Sequence, residues 1–258
     1  MTAQIRRLAV FNQKGGVGKT STAANLAVAM QRRGRSVVAI DADPQGHLTA
    51  SLCGPPRRPG LAEAIDGAAD IDALLIDREG ISVLPCGIDL VGVIEQGPQS
   101  VDGHKVARLL DHFGRRGDLM IIDCPPSVNW IVRRLLERTP DVLVPVAGDY
   151  LALQGLADLT VTLRSMEQTA GVAFRHHIVV TRYDRRRRLC TAVLEKLTQH
   201  FPGRVARTLI RECVAIAEAP SFATSVIEHA PSSNGAVDYR ALAEDLLLGR
   251  YRAAGETT

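Results

Sequence analysis

The sequence predicts a single α/β domain over residues 1–258, built on a mostly parallel twisted sheet with helices on both faces. Three observations carry that prediction. Strand-like runs such as Leu119-Met120-Ile121-Ile122 are apolar at every position, as strands buried on both sides are. Stretches with helical character alternate with them along the chain, the order that a parallel sheet requires. No repeat, low-complexity tract or linker divides the 258 residues, a length that fits one large core.

Leu8 to Phe11 is the first strand, and it turns through three glycines into an alanine-rich helix from Thr20 to Arg33. Ser36 to Ile40, apolar and β-branched, is the second strand and ends in Asp41-Ala42-Asp43-Pro44-Gln45-Gly46, where Pro and Gly turn the chain. Gly54 to Gly60 is a proline-rich loop. A helix is expected over Leu61 to Ile76 and a short strand over Ile81 to Leu84, stopped by Pro85. Gly92 to Gly103 has no periodic pattern and predicts no element. Val106, Leu109, Leu110 and Phe113 form the apolar stripe of a helix over Lys105 to Arg116. The strand Leu119 to Asp123 follows, and Ser127 is placed to cap a helix running to Arg138. Beyond it come a strand (Asp141 to Val146), a helix (Leu151 to Gln168) and a strand (Ile178 to Thr181). Leu189 to His200 is a helix with Val193, Leu194 and Leu197 inward, Arg204 to Ile210 is strand-like, and a terminal helix covers about 236–252.

The chemistry concentrates where the first strand meets the first helix. Residues 13–21, Gln13-Lys14-Gly15-Gly16-Val17-Gly18-Lys19-Thr20-Ser21, have the layout of a phosphate-binding loop. Gly15, Gly16 and Gly18 let backbone N–H groups approach an anion. Lys19 reaches terminal phosphates, Thr20 offers a hydroxyl to Mg²⁺, and the helix N-terminus adds a favourable dipole. The candidate nucleotide contacts in this loop are Lys14, Gly15, Gly16, Val17, Gly18, Lys19, Thr20 and Ser21. The plain pattern expects glycine at position 13; instead there is Gln13 followed by a second lysine, Lys14. The chain holds four lysines against 27 arginines, so two in one loop mark a functional placement. Asp41 and Asp43 close one strand and Asp123 another, at the edge where α/β sheets place ligand chemistry.

Bulk properties exclude several classes. Hydrophobic and charged fractions of 46% and 23% are those of an ordinary globular chain, and 4% aromatics is too few for a platform that stacks single-stranded bases. No apolar run approaches the roughly 20 residues of a membrane span, and Met1 to Arg7 lacks a signal-peptide core. Cys53, Cys86, Cys124, Cys190 and Cys213 include no C-x-x-C pair, which favours reduced thiols in a cytoplasmic protein over disulfides or zinc. The net charge of +3 conceals +8 between Arg175 and Arg211 and −5 elsewhere. Arg182, Arg185, Arg186, Arg187, Arg188, Arg204 and Arg207 are therefore candidates for a patch that binds DNA phosphates. Nothing resembles a base-reading helix, so such binding is expected to be non-specific and salt-dependent.

The loop Lys14-Gly15-Gly16-Val17-Gly18-Lys19-Thr20 resembles the deviant Walker A motif of the ParA/MinD family of ATPases. The likeness runs from about Ile5 to Arg250, most resembling the short chromosomal (Soj-like) ParA form that has no DNA-reading domain ahead of the loop. Residues 41–46 resemble the family's switch I, and 123–127, Asp123-Cys124-Pro125-Pro126-Ser127, its switch II. Cys86 to Leu90, Tyr150 to Gly155 and Ala217 to Phe222 resemble further family stretches. The resemblance implies the P-loop NTPase fold, ATP and Mg²⁺. Lys14, Lys19 and Asp43 would be catalytic, Lys14 by crossing to a partner's nucleotide and Asp43 by positioning water. Thr20, Asp43 and Asp123 would serve the metal. It also implies an ATP-dependent homodimer that binds nucleoid DNA non-specifically, segregates or positions a partition complex, and turns over slowly until stimulated by a ParB-like or other cargo-linked activator. No membrane partner and a cytoplasmic, nucleoid-associated location are expected.

The chain departs from the family between Ile210 and Ser221. Two expected arginines are replaced by Glu212 and Ala215, and the adenine-pocket positions carry Arg211 and Cys213. Arg211 would then stack on the base, and the DNA face would rest on the arginines named above. Related ATPases that position carboxysomes or chemoreceptor clusters give a second reading. A MinD-like membrane-bound division regulator is a third, disfavoured by acids and a glycine in the tail Ala243 to Arg252. An iron–sulfur protein of the same loop type would have only Cys86 and Cys124 as ligands.

Overall fold

Alternate residues of each buried strand feed two separate cores, which is why the strands are apolar throughout. The computed structural model describes residues 5–55, 58–67, 70–99, 104–149 and 151–256. Parts of several expectations fall outside these residues: the N-terminal 1–4, positions 56–57 of the proline-rich loop, 68–69 of the long helix, 100–103 of the unpatterned stretch, Tyr150 and the last two residues.

In chain order the elements are β1 (Arg7–Val10), α1 (Lys19–Gln31), β2 (Val37–Asp41), α2 (His47–Cys53), α3 (Leu61–Asp66), β3 (Ile76–Arg78), β4 (Ile81–Leu84), α4 (Leu90–Gln96) and α5 (Lys105–Arg116). They continue with β5 (Leu119–Asp123), α6 (Trp130–Glu137), β6 (Asp141–Ala147), α7 (Leu151–Ala170), β7 (Arg175–Thr181), α8 (Arg188–His200), α9 (Val214–Glu218), α10 (Val226–His229) and α11 (Asn234–Leu248). The sheet order is β3-β4-β2-β5-β1-β6-β7, parallel except for β3. This is the expected class: one α/β domain with a mostly parallel sheet and helices on both faces.

Leu8, Val10, Leu119 and Ile121 point into a core shared with α1, α2, α10 and α11. Ala9, Met120 and Ile122 point into the other, which α3 to α8 cover. Helix α1 is apolar on nearly every side because it is sandwiched; Ala23, Leu26, Ala27 and Val28 are all fully buried. Register sets up the chemistry. Asp41 at the end of β2 and Val10 at the end of β1 are both partners of Asp123 at the end of β5.

The structure corrects five expectations. The helix over Leu61 to Ile76 ends at Asp66, where Gly67 turns left-handed at φ 83°; the remainder holds a 3-10 turn (Asp72–Leu74) and edge strand β3. That strand pairs antiparallel with β4 through Glu79 and Gly80, whose φ values of 48° and 86° make the tight mirror-image turn hairpins favour. Asn129, not Ser127, caps α6, its side chain accepting from Val132 N at 3.0 Å. The unpatterned stretch overlaps α4, capped by Asp89 at Gly92 N. Arg204 to Ile210 makes only isolated bridges, Ile178 with Val205 and Ala206 with Tyr251, instead of a strand. The terminal helix starts at Asn234 behind its Ser233 cap and stops at Leu248, where Gly249 takes φ 63°. Short helices α2, α9 and α10 had too few residues to show a period.

One partly buried ion pair ties the sheet edge to the helices above it. Arg78 on β3 donates to both oxygens of Glu228 on α10 at 3.0 Å each, and the Glu228 carboxyl also receives Ser225 N and Ser225 Oγ. Burial alone would raise the Glu228 pKa, but Arg78 and the Ser225 donors hold it down at about 2. A carboxyl depressed in the fold contributes stability above its unfolded value of 4.5 and loses it as pH falls toward about 2. Glu228→Gln is expected to lower unfolding free energy by about 2–3 kcal/mol at neutral pH. Urea titrations at successively lower pH should show that gap closing below about pH 4.5; a gap independent of pH would refute the assignment.

Candidate nucleotide site

The site is built from loops at the carboxyl ends of β1, β2 and β5, so three neighbouring strands deliver it. After Val10 the chain cannot continue as strand because Asn12 turns inward; it is buried, its Nδ2 donating to Pro145 O (2.8 Å) and its Oδ1 accepting Lys14 N (3.0 Å). Gly16 and Gly18 then take φ 73° and 86°, a conformation other residues adopt only with strain. A Cβ placed on Gly15, Gly16 or Gly18 would meet no atom within 4 Å, so the loop encloses an open cradle lined by backbone. From the other side Thr181, at the end of β7, donates to Val17 O (2.8 Å) and fixes the loop. The Val17 side chain is buried, leaving its backbone N–H as its contribution. Thr20 and Ser21 stand in the first turn of α1, which has no side-chain cap, so its amides remain available to an anion.

The two lysines hold different places. Lys19 is buried beneath the cradle, its Nζ donating to Lys14 O at 3.0 Å. Burial lowers its pKa, against the pull of Asp123 and Asp43. Lys14 reaches outward instead, its Nζ 2.5 Å from Oδ1 of Asp149, just past β6.

Three carboxylates converge opposite Lys19. Asp41 is fully used by the protein: Oδ2 accepts Thr49 N (2.8 Å) and Thr49 Oγ1 (2.7 Å), and Oδ1 accepts Asp43 N (3.3 Å). Burial lifts its pKa to about 6. Asp43 accepts Gln45 N through Oδ1 (3.0 Å) and lies close enough to Lys19 to interact with its charge. Asp123 is wholly buried, and neither carboxylate oxygen has a hydrogen-bond partner. Its pKa is raised well above the usual range, first by burial and then by the Asp41 charge; the nearby Thr20 hydroxyl and Lys19 pull the other way without forming a well-shaped hydrogen bond. An unpartnered buried carboxylate is costly, and a cation next to it removes the cost. Thr20, Asp43 and Asp123 thus fit a hard, oxygen-ligated ion. Among the described residues no group of three His, Cys, Asp or Glu side chains could hold a metal unaided, as suits an ion that shares its shell with phosphates.

Beside the cradle a cavity of about 380 Å³ is lined by Gly16, Gly18 and Ser21 on one side and Ile210, Val214, Ile216, Ala217 and Tyr239 on the other. Apolar walls next to a phosphate cradle suit a nucleobase. Arg211 and Cys213 both line it, and Arg211 is pinned by Asp238, which accepts its N, Nε and Nη2 at 2.6–3.1 Å. Arg182 also lines this cavity.

Arg185, Arg186 and Arg187 line a groove past the end of β7, and Arg188 opens α8. Arg204 and Arg207 flank Val205 and Ala206, of which Val205 bridges Ile178 at the middle of β7. Several are engaged internally: Arg186 and Arg187 with Asp184, Arg182 and Arg187 with Glu212, Arg207 with Glu256, and Arg204 with His176. Cys86 and Cys124 are buried in one core with their thiol pKa values pushed up by burial, the opposite of a cluster-ligating thiolate. Sequence reasoning missed Asn12, Thr49, Asp149, Thr181, Asp238 and Tyr239. Asp149 had a signal, an acid just past a buried strand, whereas Asn12, Thr181 and Tyr239 depend on contacts across more than 100 residues, Asp238 on one across 27, and Thr49 on a loop that folds back.

Fold and site together define a P-loop ATPase of the two-lysine, deviant Walker A class. A protein-family model described as an AAA domain matches residues 5–176. The chromosome-partitioning ATPase Soj of Thermus thermophilus is 38% identical over 96% of this chain and 97% of its own length. The chromosome partitioning protein ParA of Caulobacter vibrioides is 34% identical over 94% of each. The crystal structure of cobyrinic acid a,c-diamide synthase from Mycobacterium smegmatis with bound ATP analog and magnesium superposes with a TM-score of 0.79 at 30% identity, covering 97% of this chain and 99% of that one. The chain belongs to the ParA/Soj family of chromosome-partitioning ATPases.

An unpaired carboxylate kept for a cation should burden the empty protein. Asp123→Asn is expected to raise the melting temperature of the nucleotide-free chain by a few degrees, equivalent to about 1–3 kcal/mol, while abolishing phosphate release. A carboxyl whose pKa is raised in the fold contributes stability that is lost as pH rises, so the advantage of Asn should widen from acid to neutral pH. Scanning calorimetry that finds the variant less stable than wild type would show that Asp123 has an internal partner after all.

Proposed function

We propose that the chain is an ATP-dependent switch that dimerises on ATP, binds DNA non-specifically, segregates a chromosome or plasmid partition complex, and is reset by hydrolysis that a ParB-like activator stimulates. ATP with Mg²⁺ is the substrate form. Gly15, Gly16, Val17 and Gly18 would wrap the phosphates with backbone amides, Lys19 would neutralise the terminal ones, and Thr20, Asp43 and Asp123 would serve the metal. When bound, Mg²⁺ supplies positive charge against the phosphoryl oxygens. Asp43 would orient the attacking water. The base would sit in the cavity walled by Ile216, Val214 and Arg211, with Cys213 at its edge. Hydrolysis would be slow in the single chain because Lys14 is held by Asp149 and Arg211 by Asp238.

The observation that carries this reading is the position of Lys14. It is held by Asp149 outside its own cradle while its carbonyl supports Lys19. A cation one loop away from its own phosphates is placed to serve another subunit's. ATP would then hold two subunits together, and hydrolysis would release them.

Non-specific DNA binding would use Arg185 to Arg188 with Arg182, Arg204 and Arg207. A nucleoid-bound carrier of a cargo other than DNA is the second reading, and the internal pairing of those arginines favours it. A membrane partner is not expected: among the described residues no helix is long and apolar enough to cross a bilayer, and α11 packs its apolar face against α1, with Ala236, Tyr239 and Leu242 fully buried. The protein would then be cytoplasmic and nucleoid-associated.

Light scattering with ATP tests the cross-site role. Lys14→Ala is expected to remain monomeric and to lose hydrolysis by at least about tenfold, as removal of a charge-stabilising group does. Asp43→Ala should instead accumulate as an ATP-bound dimer. Normal dimerisation of the Lys14 variant would rule the role out.

A further inference from the structure

A groove of about 620 Å³ runs between the turn after β7 and the first turn of α11, lined by Arg185, Arg186, Arg187, Arg211, Glu212 and Asn234 among others. It shares Arg211 and Glu212 with the nucleotide cavity, so one short segment walls both. The groove is made for anions, yet it carries its own. Glu212 Oε2 lies 3.0 Å from Arg187 Nη2, and Oε1 lies 3.7 Å from Arg182 Nη2. The backbone fixes this placement: Glu212 N donates to Tyr183 O (3.1 Å) and Tyr183 N to Ile210 O (3.0 Å), locking the two segments side by side. Arg186 is occupied separately by Asp184, whereas Arg185 makes no ion pair among the described residues.

We infer that Glu212 is a built-in competitor for phosphate in this groove, holding Arg182 and Arg187 until a DNA phosphate displaces it. A carboxylate spanning two guanidinium groups occupies the donors that two phosphate oxygens would use. The three side chains are about half exposed, at 43–62%, so the pairs are screened and weak enough to exchange. A phosphate that binds Arg182 or Arg187 must first expel the carboxylate, which lowers affinity and removes contacts from the count of released counterions. The groove therefore binds anions below the strength its arginines alone would give. This inference rests on the reading that the arginine face binds DNA.

Fluorescence anisotropy of the full chain on a labelled random-sequence duplex, with a non-hydrolysable ATP analogue and a series of salt concentrations, tests it. Glu212→Gln keeps the side chain's shape and the backbone bond. It is expected to tighten binding about three- to tenfold at low salt, and to steepen the salt dependence by up to about two counterions. Glu195→Gln removes the same charge from an exposed position of the same basic segment on α8 and should do neither. An unchanged salt slope in Glu212→Gln, or an equal gain in Glu195→Gln, would overturn the inference. If wild type binds no duplex in any nucleotide state, the DNA reading fails instead. The competitor role is then decided with long-chain inorganic polyphosphate, where Glu212→Gln must still bind more tightly and more salt-dependently than wild type.

Discussion

The structure depends on one electrostatic constraint: three carboxylates and a lysine are buried together at the ends of adjacent parallel strands. Register puts Asp41 and Asp123 side by side, and Lys19 comes up beneath the glycine loop to face them. Asp41 is paid for by Thr49 and by the Asp43 amide. Asp123 has no such compensation, and its raised pKa measures the imbalance. The empty protein carries a local charge problem that a metal–nucleotide complex resolves. Sites of this kind trade stability for function.

The same geometry separates the two lysines by task. Lys19 starts α1 and cannot leave, because its helix is sandwiched between the sheet and α11. Lys14 precedes the glycines and is free to point elsewhere, toward Asp149 in the single chain. A short loop thus offers one cation inward and one outward, and the difference follows from which side of the glycines each occupies.

In the region after β7 the charges pair with one another. Arg211 is not free, since Asp238 grips it from α11. Glu212 neutralises two neighbours. The nucleotide cavity and the arginine groove share this wall through Arg211 and Glu212.

Sequence alone determined the fold class, the strand order of chemistry and the identity of the phosphate loop, because these rest on local rules: apolar runs for buried strands, glycines for the cradle, acids at strand ends. It also offered Lys14, Lys19, Thr20, Asp43 and Asp123 as candidates for that site. It misjudged Leu61 to Ile76, where a left-handed Gly67 and an edge hairpin override helical composition. Only the tertiary structure decided which charges are spoken for. Whether Lys14 meets Asp149, Arg211 meets Asp238 or Arg187 meets Glu212 depends on how strands and loops 25–135 residues apart come together, and no periodicity in the chain records that.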